Sequence, residues 1–174
     1  MKQMSNKTLI LSFHEFLLLM FKREIDGLVF PDELSELSAD EKELKEAFGE
    51  LITDKYIVPD EDGSYRISKE LDEILEVLSN ASHSFVIYEE NQKFPPCYLY
   101  RLNLKAVCLR LDEHRQGILK LELTYFEDKI EELMEYNLVK MVIQRFRTDQ
   151  TEPEKIIMAD RESENDIMDK LLEV

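Results

Sequence analysis

Leu119-Lys120-Leu121-Glu122-Leu123 is the stretch on which the fold class turns. Its leucines occupy alternate positions with charges between them. Successive side chains of a strand point to opposite faces, so the segment reads as a half-buried antiparallel strand. Upstream, the same period of two starts at Ser84 and runs through strand candidates Phe85 to Tyr88, Tyr98 to Leu102 and Leu104 to Leu111, with Gln116-Gly117 at the turn into the quoted strand. Downstream, Phe126, Ile130, Leu133 and Met134 recur at helical spacing. Leu138 to Phe146 and Lys155 to Ala159 return to strand text, and Ile167, Met168, Leu171 and Leu172 close the chain as a helix.

Before Ser84 the period is helical. Ser12-Phe13-His14-Glu15 spells a capping box, in which hydroxyl and carboxylate satisfy free amides at a helix start, and Phe13, Phe16, Leu17, Met20 and Phe21 then define one apolar face. Gly27 is expected to stop this helix, and Pro31 suits the first turn of a short helix through Leu34 and Leu37. Ser38 and Glu41 spell a second box ahead of Leu44, Ala47, Phe48, Leu51 and Ile52. Tyr56 to Val58 and Tyr65 to Ile67 read as a hairpin around the turn from Asp60 to Gly63, and Ser68 can cap a helix with core positions Leu71, Ile74, Leu75 and Leu78. The expected fold is therefore α+β. A helical half, residues 1–80, packs on the mainly antiparallel sheet and flanking helices of residues 81–174, with no flexible linker between them.

The 174 residues are enough to bury about 70% of the unfolded surface, so neither disulfides nor a structural metal are required. The longest apolar run, Leu9 to Phe21, is broken by His14 and Glu15 and falls short of the roughly 20 residues of a membrane helix. No cleavable leader is expected either. Cys97 and Cys108 lack CxxC spacing and read as small buried hydrophobes in a reducing cytoplasm. The net charge of −16 is unevenly placed: residues 31–80 hold 16 acids against 5 bases, whereas residues 1–30 hold 3 acids and 4 bases. Such a surface repels a phosphate backbone, so nucleic acid is a disfavoured partner.

The four glycines leave no phosphate-binding loop: Gly27, Gly63 and Gly117 suit a helix end or turns. Gly49 lies within a helix, either merely tolerated there or admitting a close neighbour. His14, His83 and His114 are too dispersed for a zinc site, and Asp60, Asp62 and Gly63 lack the closing glutamate of a calcium loop. Ser64 and Ser68 have no nucleophile-elbow context. No cofactor, metal or catalytic residue is assigned. Phe94-Pro95-Pro96-Cys97-Tyr98-Leu99-Tyr100 is the most unusual stretch, since paired prolines hold an extended approach and Phe94, Pro95, Tyr98 and Tyr100 could anchor a partner. The plain alternative is an edge strand whose tyrosines cover the sheet. Glu43, Glu46, Glu50 and Asp54 line one side of the Ser38 to Lys55 helix and could attract a basic partner, with a solvated face as the alternative.

From Phe13 to Ser79 the element order resembles a winged-helix domain, whose DNA-binding members read the major groove with the third helix. Here that helix carries Asp40, Glu41, Glu43, Glu46, Glu50 and Asp54 against Lys42, Lys45 and Lys55, which argues against groove reading. Together with the sheet and the segment LKLELTYFEDKIEELMEY, Leu119 to Tyr136, residues 10–146 resemble the EspG-type chaperones of type VII (ESX) secretion systems. That resemblance implies a cytosolic, cofactor-free, non-enzymatic chaperone or adaptor that binds another protein, a helical secretion substrate. The alternatives are a winged-helix transcriptional regulator, its DNA contacts drawn from Arg101, Lys105, Arg110, Lys140, Arg145 and Arg147, and an unrecognised enzyme using paired carboxylates. The chain lacks Trp and so does not resemble the Trp-x-Gly substrates of that pathway.

Overall fold

The computed structural model describes residues 7–35, 37–89, 95–135, 141–147, 152–158 and 164–172. The period-two text builds an antiparallel sheet from β4 (His83–Glu89), β5 (Cys97–Leu102), β6 (Lys105–Leu111), β7 (Ile118–Tyr125), β8 (Met141–Arg147) and β9 (Glu154–Met158). A further strand, β1 (Lys7–Ser12), extends it to seven in the order β1-β7-β6-β5-β4-β8-β9. Every neighbouring pair is antiparallel.

Strand alternation sorts the core into two layers. Tyr100, Val107, Leu109, Leu119, Leu121 and Leu123 point to one face. Phe85, Ile87, Leu99, Ala106, Cys108 and Ile143 point to the other. The first face is covered by α1 (Phe13–Lys22), α2 (Asp32–Ser35), α3 (Glu41–Thr53) and α4 (Lys69–Asn80), with α4 lying across β5, β6 and β7. The second is covered by α5 (Phe126–Glu135) and α6 (Glu164–Leu172) through Phe126, Ile130, Leu133 and Leu171. A hairpin of two short strands, β2 (Ile57–Pro59) and β3 (Tyr65–Ile67), stands where the winged-helix resemblance places a wing and is given that name; its strands pair antiparallel around Gly63, whose φ of 83° the tight turn requires. This is the α+β architecture read from the sequence, with helices packed on an antiparallel sheet.

Strand β1 is the main departure. The sequence reading begins ordered structure at the Ser12 cap, but Lys7–Ser12 forms an edge strand in which Leu9 pairs with Leu121 and Leu11 with Leu119. The apolar run from Leu9 to Phe21 is thus a strand that turns into a helix at Ser12, and the N-terminal half contributes a strand to the sheet of the C-terminal half. Strand β5 is likewise the fourth of seven, so the edge position in the alternative reading of the Phe94 to Tyr100 stretch is overturned, whereas Tyr98 and Tyr100 do pack on the sheet as that reading has it.

The Ser12 box forms as read: the Ser12 amide donates to Glu15 and the Glu15 amide to the Ser12 hydroxyl. The second box shifts by two residues, with Asp40 as N-cap and Glu43 as its return partner. The Ser38 carbonyl instead accepts from His14 Nε2 at 2.9 Å. Nor does Gly27 end α1. Glu24, at φ 53°, occupies the left-handed position, and the Ile25 amide donates to the Met20 carbonyl at 3.0 Å. Lys55, at φ 62°, closes α3 in the same way through Tyr56 and Leu51. Both ends have the two reverse hydrogen bonds of a Schellman motif, reached without glycine. No atom lies within 4 Å of where a Gly49 Cβ would stand, so the close-neighbour alternative for that glycine does not hold.

Candidate functional site

One surface that carries charge and exposed aromatic area together lies on α3 and the wing. Ala47 and Leu51 bury one side of α3, and this fixes which side faces out: Glu41, Lys42, Lys45, Glu46, Glu50, Thr53 and Asp54 are exposed. Lys45 Nζ lies 2.5 Å from Glu41 and Lys42 Nζ 3.7 Å from Glu46, each four residues apart on the helix. Both cations are therefore offset by acids of their own helix, although each exposed pair adds only about 0.3–0.5 kcal/mol. Glu50 and Asp54 leave the outward face acidic.

Beside this face the rings of Phe48 on α3 and Tyr65 on the wing meet edge to face, 5.2 Å between centroids, and Tyr65 remains 41% exposed. Asp60 fixes the wing by pairing with Arg66 at 2.7 Å. On the inner side, the Glu15 carboxylate accepts the Ser12 amide. Burial pushes its pKa up, the Ser12 hydrogen bonds pull it down, and Glu50 and Asp54 push it up again.

Of the residues read as partner-binding, Glu43 is the return arm of the Asp40 cap and also lies 3.6 Å from His14 Nε2, so its carboxylate is engaged locally. Glu46 and Glu50 are exposed on α3. Phe94 lies outside the described residues, and Pro95 is exposed. Tyr98 is half-buried, its phenol pushed up to about 12 by burial first and then by Glu33 and Asp32. Tyr100 is a correction. It is fully buried and donates its hydroxyl to the Val29 carbonyl at 2.6 Å, so it is core and not contact surface. Alternation explains this, because positions 98 and 100 both point toward the α1 to α4 layer. Among the described residues, those from Pro95 to Tyr100 and the α3 acids do not converge on one site.

The cations named for DNA contact are dispersed too. Arg101 stacks 4.8 Å from the Phe126 ring centroid and donates to the Leu171 carbonyl. Arg145 is buried against Glu154 and the Lys170 carbonyl. Lys140 lies outside the described residues. A half-open cavity of about 120 Å³, lined in part by Arg101, Leu104, Tyr125 and Phe126, is well below the roughly 300–1,000 Å³ of small-molecule sites. Among the described residues no three His, Cys, Asp or Glu side chains are grouped to hold a metal, and no helix is long and apolar enough to cross a membrane.

Sequence reasoning missed the Phe48 and Tyr65 pair. The only available signal was an aromatic in each of two predicted elements, which does not specify that the wing folds back onto α3. Compared with protein-family models and with curated proteins, the chain matches none.

Proposed function

We propose that this chain is a non-enzymatic, cytoplasmic protein-binding adaptor or chaperone that presents α3 and the wing to a partner polypeptide. The observation that carries the reading is the outward face of α3, the position from which a winged helix reads DNA. Here its lysines are paired within the helix and Glu50 and Asp54 are left over, next to the half-exposed Tyr65. Acids there repel a phosphate backbone and favour a basic or amphipathic segment, while the aromatic pair supplies apolar area for a helix lying across it. The resemblance to EspG-type chaperones makes a helical type VII secretion substrate the partner of choice.

The test has two arms. Labelled mixed-sequence duplex DNA, titrated at low salt and followed by fluorescence anisotropy, is expected to show no saturable binding; salt-sensitive binding would favour the regulator reading instead. Affinity capture from the native cell is then compared for the wild-type chain and a Glu46→Lys/Glu50→Lys/Tyr65→Asp variant, and captured proteins are purified and titrated calorimetrically. Partners that bind the wild type and lose affinity for the variant support the proposal. Equal binding by both, with circular dichroism showing the variant folded, rejects this surface.

A further inference from the structure

Cys97 opens β5 and Cys108 lies within β6, and both side chains point to the α5 and α6 face of the sheet. The ladder places Leu99 opposite Cys108, so the two cysteines are diagonal neighbours. Their sulfurs approach to 2.8 Å while remaining free thiols. That separation is less than 1 Å beyond the disulfide bond length of about 2.05 Å. Each is almost fully buried, with no other cysteine in the chain to compete. Arg110, two residues along β6 from Cys108, has a buried Nε without a hydrogen-bond partner, and its charge stands beside both sulfurs. A cation placed against two thiols favours the thiolate, the nucleophilic form.

We propose that Cys97 and Cys108 form a cross-strand oxidation site, converted by a hydroperoxide to an intramolecular disulfide with Cys97 as the attacking sulfur. The two sulfurs share one hydrogen bond in which either can be the donor, and the Arg110 charge favours the thiolate of whichever gives up its proton. Access assigns the attacking role to Cys97. It follows exposed Pro95 and half-buried Pro96, neither of which can donate to a ladder, and it is paired to Ile87 of β4 while the β5–β6 register begins only at Tyr98. The start of β5 is thus held on one side, and local opening there exposes the Cys97 sulfur before that of Cys108.

In the first step the Cys97 thiolate attacks the terminal peroxide oxygen. The O–O bond breaks, the leaving alkoxide or hydroxide takes up a proton, and Cys97 becomes a sulfenic acid. In the second step Cys108 sulfur attacks Cys97 sulfur. The S–O bond breaks, and the departing hydroxide leaves as water with the Cys108 proton. Two thiols are oxidised by two electrons and one peroxide is reduced.

The test is exposure of the native full-length chain to hydrogen peroxide, followed by alkylation in denaturant, intact mass measurement and peptide mapping. The expected result is a loss of two hydrogens, joint loss of both alkylation sites, and a Cys97-to-Cys108 linked peptide that a reductant releases. Cys108→Ser should trap the Cys97 sulfenic acid for labelling with dimedone, whereas Cys97→Ser should leave Cys108 reduced at the same dose. The wild-type mapping stands even if a variant fails to fold. Retention of both alkylatable thiols under conditions that consume free cysteine, independent oxygen addition to each sulfur, or links only between chains would overturn the proposal.

Discussion

Glu15 accepts the Ser12 amide at 2.6 Å from a position only 5% exposed, so one carboxylate both closes the cap of α1 and sits within the core beside the acids of α3. Burial, the largest influence, raises its pKa from the ordinary 4.5. A carboxyl whose folded value lies above its unfolded one supports the fold when protonated, and this support is lost as pH rises through the folded value. Glu15→Gln keeps a side chain able to return to the cap without the charge. Its melting temperature should exceed that of the wild type near neutrality, and the gap should narrow as pH falls toward 4.5. A gap that does not depend on pH across thermal scans would show that the charge is not what matters.

Two helix ends and one helix interior offer stabilising changes. Glu24 and Lys55 hold left-handed backbone that costs an L residue roughly 1–2 kcal/mol and glycine little. Glu24→Gly and Lys55→Gly are each expected to raise stability by about 0.5–1 kcal/mol in urea titrations, the chain entropy of glycine offsetting the rest. Gly49→Ala on α3, with open space at the new Cβ, should add about 1 kcal/mol. A loss at Gly49→Ala would mean that something packs on that face.

Tyr100→Phe separates structure from recognition. It removes the donor to the Val29 carbonyl, leaving that group without this bond, at a cost of about 1–3 kcal/mol where water does not replace it. Partner affinity of the folded variant should be unchanged. A variant of wild-type stability that loses its partner would return Tyr100 to the contact surface.

Lys129 is buried on the second face, its Nζ 2.6 Å from Glu122 of β7 and 2.9 Å from Glu132 of α5. Lys129→Met should destabilise the chain by about 1–3 kcal/mol, because Glu122, 19% exposed, loses a charge-assisted hydrogen bond while Glu132, 39% exposed, stays hydrated. The double change Lys129→Met/Glu122→Leu should recover part of it, measured by denaturant midpoints. No recovery would indicate that the methionine itself does not fit.

Most elements were legible because they repeat a local signal. The alternation at Leu119 to Leu123, the α4 stripe with its Ser68 cap and the Asp60 to Gly63 turn all act over a few neighbouring residues. Lys7–Ser12 escaped because its strand conformation depends on Leu119 to Leu123, more than a hundred residues away. Asp40 caps α3 in place of Ser38, whose carbonyl meets His14 on another helix. For the candidate site, the acidic character of α3 could be read directly. That Glu43 is spent on a cap, that Tyr65 meets Phe48 and that Tyr100 faces inward could not.

The amino-acid order alone determined which segments alternate, which are amphipathic and where negative charge accumulates, since these follow from residue spacing and side-chain chemistry. Tertiary structure alone decided that β1 closes one edge of the sheet, that β5 lies at its centre and that two cysteines eleven residues apart bring their sulfurs to 2.8 Å. The physical reason is that pairing across a sheet joins positions remote in sequence, and only the partner strand determines which side chains become neighbours.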